Sequence, residues 1–186
     1  MKKWLAVLAM TGLVSACSMQ PHTIAVVPQL DFAAVKGIEK PIQVDVVDKR
    51  EHPERLGFRN AKNEGEILFD APLAETLKAD IIKALQQQGA VTGKTPEPAT
   101  QLTIEIRTLS YVTPNETWVN EIALKGEIAL IIQRGATTMR KTFTADQSQD
   151  VVTAPSRDYN ESYFNLLLTT LVNKALNDRE VIGLIK

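Results

Sequence analysis

Cysteine is nearly missing from this chain, with Cys17 alone among 186 residues. No internal disulfide can form, so the fold has to be held by a core and not by cross-links. Histidine is almost as scarce: His22 and His52 stand thirty positions apart, without the closely spaced ligands that a zinc site needs. Aromatics make up 5% of the chain, and no basic run interleaves with them, which argues against a nucleic-acid surface. No Gly-x-Ser-x-Gly elbow, phosphate-cradling glycine loop or His-Glu-x-x-His pattern occurs. The common nucleophilic, nucleotide and metalloprotease chemistries therefore lack their parts, and neither a cofactor nor a metal is expected. What remains is a composition 44% hydrophobic and 23% charged, that of an ordinary globular domain.

The start of the chain says where such a domain would work. Lys2-Lys3, the apolar run Trp4 to Val14 and the small residues before Cys17 read as a secretory signal peptide, too short to span a bilayer. Val14-Ser15-Ala16-Cys17 is a lipobox, so residues 1–16 are expected to be cleaved and Cys17 acylated. Each buried methylene adds about 0.8 kcal/mol of membrane affinity, and two or three acyl chains make an effectively permanent anchor. In diderm bacteria an aspartate after the acylated cysteine retains a lipoprotein in the inner membrane. Ser18 here predicts export to the periplasmic face of the outer membrane. Loss of Lys2 and Lys3 with the leader takes the formal charge from −1 to −3, which gives no polyanion-binding footprint.

Residues 17–22 read as the lipidated cysteine and a short tether, and residues 23–186 as one periplasmic domain. Thr23 to Val27 predicts a first strand stopped by Pro28, and Ile42 to Asp48 a second, followed by a polar loop from Lys49 to Gly65. Leu73, Leu77, Ile81 and Leu85 form a helical stripe, with Asp70 as its expected N-cap, Pro72 in its first turn and Gly89 as its stop. Leu102, Ile104 and Ile106 alternate as a strand, and the phase shift to Leu109 and Tyr111 predicts a bulge near Thr108. Trp118 to Gln133 is the longest strand expected. It is joined through Arg134-Gly135-Ala136-Thr137 to a partner through Met139, Lys141, Phe143 and Ala145. Ser156 opens a second helix with a broad apolar face and a polar back of Asn165, Thr169, Asn173 and Lys174. Val181 to Ile185 is apolar enough to dock as a short helix or strand. The pattern is α+β: two amphipathic helices on one face of a mainly antiparallel sheet, the other face wet, loop-covered or used for contact.

With these elements in place the chain resembles the YajG family of bacterial lipoproteins. The likeness is carried by the lipobox at Cys17, Thr23-Ile24 through Pro28, Asp48-Lys49-Arg50, Leu73 through Gly89 and, most specifically, Ile122 through Ile131. The resemblance implies an envelope lipoprotein of this fold and brings no catalytic residue with it.

Few side chains stand out for chemistry. Asp48 and Arg50, a carboxylate and a guanidinium at a strand end, suit a loop clamp or a contact with a charged partner. Tyr111 and Trp118, beside Pro114, could form an aromatic contact patch or pack as core. Glu51, Glu54 and Glu64 in the long loop leave open a two-carboxylate hydrolase, with a solvated loop as the plainer account. The expectation is a non-enzymatic outer-membrane lipoprotein, held in the membrane through Cys17 and acting as an adaptor for another envelope protein. It would use its free sheet face or the loop Lys49 to Gly65. The alternatives are a peptidoglycan-binding or hydrolase module, or a carrier with a ligand cavity between sheet and helices.

Overall fold

A computed structural model describes residues 19–32, 38, 41–93, 99–113 and 120–186. Ten elements succeed one another: β1 (His22–Ile24), β2 (Ile42–Asp48), β3 (Arg55–Phe58), β4 (Glu66–Phe69), α1 (Leu73–Gln87), β5 (Thr100–Val112), β6 (Asn120–Arg134), β7 (Thr137–Val151), α2 (Arg157–Leu176) and α3 (Arg179–Ile185). The strands form a mixed seven-stranded sheet in the order β1-β4-β3-β5-β6-β7, with β2 alongside β5. The fold is α+β, as the sequence pattern predicts, with a third helix at the C-terminal end.

The long meander β5-β6-β7 is antiparallel, whereas β1–β4, β2–β5 and β3–β5 are parallel. Strands β2 and β5 can run the same way because β3, β4 and α1 lie between them in sequence and supply the crossover. The bulge expected near Thr108 is a register shift between Ile106 and Thr108. Gly135, with φ +59°, takes the left-handed position of the β6–β7 turn.

Alternation along β6 sends Ile122, Leu124, Ile128, Leu130 and Ile132 inward, where they are fully or almost fully buried. Against them pack Phe164, Leu167, Leu168, Leu171, Val172 and Ala175 of α2, and Leu73, Leu77, Ile81 and Leu85 of α1 in the same core. Gly126 makes room for this: a Cβ there would lie 2.9 Å from Leu171 Cδ2. Ser156 caps α2 as predicted, its hydroxyl accepting from Tyr159 N at 3.2 Å. Helix α1 departs from expectation, because Pro72 takes the cap position with no side-chain bond, while Asp70 N donates to Ile24 O.

The first strand is shorter than predicted, ending at Ile24, because the residues beyond it pair with a helix and not with a strand. Backbone N–H groups of Ala25, Val27, Gln29 and Asp31 donate to Glu161, Asn165, Thr169 and Asn173. In return Asn165, Asn173 and Asn177 donate to the carbonyls of Ala25, Gln29 and Asp31. Two extended residues advance roughly 6.6 Å and four helical residues roughly 6 Å, so the two periodicities stay in step. The polar back of α2 is therefore the seat of a backbone strap.

The stretch Lys49 to Gly65, expected to be irregular, contains β3, which pairs antiparallel with β4 and touches β5 where Gly57 faces Tyr111. A Cβ on Gly57 would lie 2.9 Å from the Tyr111 carbonyl oxygen, so glycine permits this close approach.

Candidate interaction surfaces

Asp48 ends β2 and Arg50 opens the loop after it, and the two side chains are only 8% and 7% exposed. Arg50 Nη2 and Nε donate to the Asp48 carboxylate at 2.7 and 2.9 Å. Its remaining donors reach the Arg55 carbonyl at 2.7 Å and the Pro53 carbonyl at 2.9 Å, and the guanidinium lies 5.4 Å over the Phe69 ring. A guanidinium so fully engaged ties β2, the loop and β3 together, and it leaves little with which to hold a charged partner.

Tyr111 is 6% exposed and contributes no surface patch. Its hydroxyl donates to Asn160 Oδ1 at 2.9 Å, and Asn160 Nδ2 lies 3.2 Å from His22 Nδ1. This line of polar groups joins β5, α2 and β1 beneath the surface. Burial, followed by the neighbouring Tyr159, pushes the Tyr111 hydroxyl above the usual tyrosine range and keeps it a donor. Cys17, Ser18, Pro114 and Trp118 lie outside the described residues.

The loop carboxylates do not converge. Glu54 precedes β3 and faces His52 and Arg55 at 3.5 and 3.9 Å, whereas Glu64 lies beyond it and accepts from Asn60. Strand β3 stands between them, and each carboxylate meets a different set of groups. Glu51 is exposed.

The sheet face opposite the helices is left uncovered by the other described elements. Short side chains pave it, with Thr103 and Ser110 on β5, Ala123 and Ala129 on β6, and Thr142 and Thr144 on β7. Ion pairs cross it from strand to strand. Arg140 on β7 reaches over β6 to Glu105 on β5, Arg107 meets the same carboxylate at 3.4 Å, and Arg107 also faces Glu127 at 3.6 Å. Ala129 sits directly between Glu105 and Thr142 and is fully buried beneath this lattice. A longer side chain there would block the path of Arg140. Burial raises the Glu105 carboxyl, but the hydrogen bonds and charges of Arg140 and Arg107 outweigh it and leave the group below the usual glutamate range. The sequence pattern located this face; it did not reveal that Arg140 and Glu105 pair across an intervening strand, because their link depends on register.

No curated protein matches the chain. Solved structures share the fold. The crystal structure of protein XCC0632 from Xanthomonas campestris is similar at 11% identity and a TM-score of 0.60, over 87% of this chain and 95% of that one. A minor lipoprotein from Acinetobacter baumannii is similar at 14% identity and a TM-score of 0.50, over 83% and 94%. The model of a family described as "Uncharacterized lipoprotein" matches residues 31–186, most of the chain and all of the elements after β1. This chain belongs to that lipoprotein family, the YajG family.

Proposed function

We propose that this protein is a non-enzymatic lipoprotein, anchored through acylated Cys17 on the periplasmic face of the outer membrane, and that its uncovered sheet face binds another envelope protein. The observation that carries this reading is the face itself. It spans β5, β6 and β7, is paved with short side chains, and carries both charge signs in an ion-pair lattice that a partner could re-pair. Membership of a lipoprotein family supports the anchor. The separated loop carboxylates weigh against the hydrolase alternative. Fully buried Leu130, Phe164, Leu168 and Leu171 fill the space a carrier would need for its ligand.

In-cell photo-crosslinking from single sites tests the reading. A crosslinker at Thr142 or Thr103 is expected to capture one dominant envelope protein. The same group at Gln86 on α1 should not, and capture should disappear in Cys17→Ser. Capture from Gln86 alone, or of peptidoglycan fragments alone, would overturn the adaptor reading.

A further inference from the structure

We infer that one end of the fold, the end holding Met19, is a seat for the phospholipid surface, and that the domain stands on it with its strands pointing away from the membrane. The inference rests on the acylation of Cys17 proposed above.

Strand directions bring several chain segments to this end. β1 begins there, so Met19 and Gln20 lie just outside the sheet. β3 and β4 meet there in the turn Arg59 to Gly65, and Arg59 Nη1 donates to Gln20 O at 2.8 Å. A Cβ on Gly65 would lie 2.8 Å from Met19 Cγ, so the turn packs directly on Met19. β5 arrives with Thr113, and β7 leaves through Val151 to Pro155 into α2. Met19, Ala61, Lys62, Val151 and Ala154 line a single recess of about 220 Å³.

Two peptide units separate Cys17 from Met19, a reach of roughly 7 Å at full extension. Acyl chains on Cys17 would therefore hold this end against the headgroups and leave no slack for the domain to tumble away. The surface suits that position. Val152 is 82% exposed, and with the exposed Ala61 and Ala154 it offers small apolar groups at the rim. Charges of both signs stand there among the described residues: Arg157 pairs with Asp158 at 2.9 Å, and Arg59 and Lys62 share a turn with Glu64. Seating should thus depend on the anchor and on apolar contact, without requiring anionic lipid.

The opposite end is marked by the β6–β7 turn at Ala136. Fifteen residues of β6 separate the two ends, roughly 45 Å along the strand. Acylated protein purified from membranes would carry single cysteines in place of Val152, Lys62 or Ala136, each labelled with an environment-sensitive fluorophore. Cys17 cannot react, because its sulfur is in a thioether. In vesicles of phosphatidylcholine carrying nitroxide lipids, labels at 152 and 62 are expected to be quenched about two-fold or more, and the label at 136 to be unchanged. Adding phosphatidylglycerol should leave the pattern as it is. Intact mass separates the anchor from the seat. A chain without acyl mass overturns both together, whereas an acylated chain whose 152 and 136 labels are quenched equally overturns the seat alone.

Discussion

Arg50 combines nearly complete burial with a full set of acceptors, which makes it the side chain whose loss should cost most. Arg50→Ala would leave the Asp48 carboxylate buried without its cation, a change that costs about 3–5 kcal/mol. Urea denaturation should show that loss, and Arg50→Lys should recover only part of it, because one ammonium cannot replace the fork that bridges Asp48, Pro53 and Arg55. Asn160 is a second such position. Tyr111→Phe removes the donor to Asn160 Oδ1 and should cost about 1–3 kcal/mol by the same measurement. The sequence marks these two sites differently. Asp48 and Arg50 stand out because their opposite charges sit at the end of an alternating β-branched strand, and their clamp geometry arises from local spacing. Tyr111 carries no such signal. Its burial depends on α2 folding back over β5, a contact between residues 49 positions apart.

At the scale of elements, the strap along α2 gives a direct prediction. Asn165→Ala and Asn173→Ala each remove one accepted and one donated bond, and each should cost about 1–2 kcal/mol. Hydrogen exchange should quicken at Val27 and Asp31 while Ile128 and Leu130 in β6 stay protected. Where apolar periodicity is strong the elements are legible in advance: the stripe of α1, the alternation of β5 and β6, the cap at Ser156 and the glycine turn at Gly135. What periodicity misses is pairing that uses polar side chains. Asn165, Thr169 and Asn173 look like a wet helix face because a solvated asparagine and one that binds a strap leave the same pattern in sequence. Likewise β3 and β4 span four residues each, too few for alternation to declare itself.

For the molecule as a whole, charge couples stability to pH in two windows. Asp178 is held below the usual aspartate range first by its hydrogen bonds from Lys141, then by the amides of Val181 and Glu180 that it caps, against the opposing effect of burial. Glu105 is also lowered. A carboxyl whose folded pKa lies below its unfolded one contributes stability that is full above the unfolded value and lost as pH falls through the folded one. The denaturation midpoint is therefore expected to fall below about pH 4, and to fall less steeply in Glu105→Gln or Asp178→Asn. Lys141 works the other way: Glu180 and Asp178 raise it, so its contribution persists at neutral pH and is lost only as strongly alkaline solution deprotonates it. These ties fasten α3 to the sheet, so the acid limb should release the C-terminal helix before the β5-β6-β7 meander opens.

The strap also bears on mechanics. If the domain is anchored and partnered as proposed above, a moving partner would load it through its first residues. That load enters at β1, which lies parallel to β4, and continues into the strap, which runs beside α2 in the same direction. Tension along the chain axis stresses these lateral bonds in shear, many at once, instead of peeling them singly. The seam between the first folded residues and the last long helix is thus a load-sharing joint. Force applied through an anchor on Cys17 would be shared by α2 and the core beneath it before it reaches the sheet face.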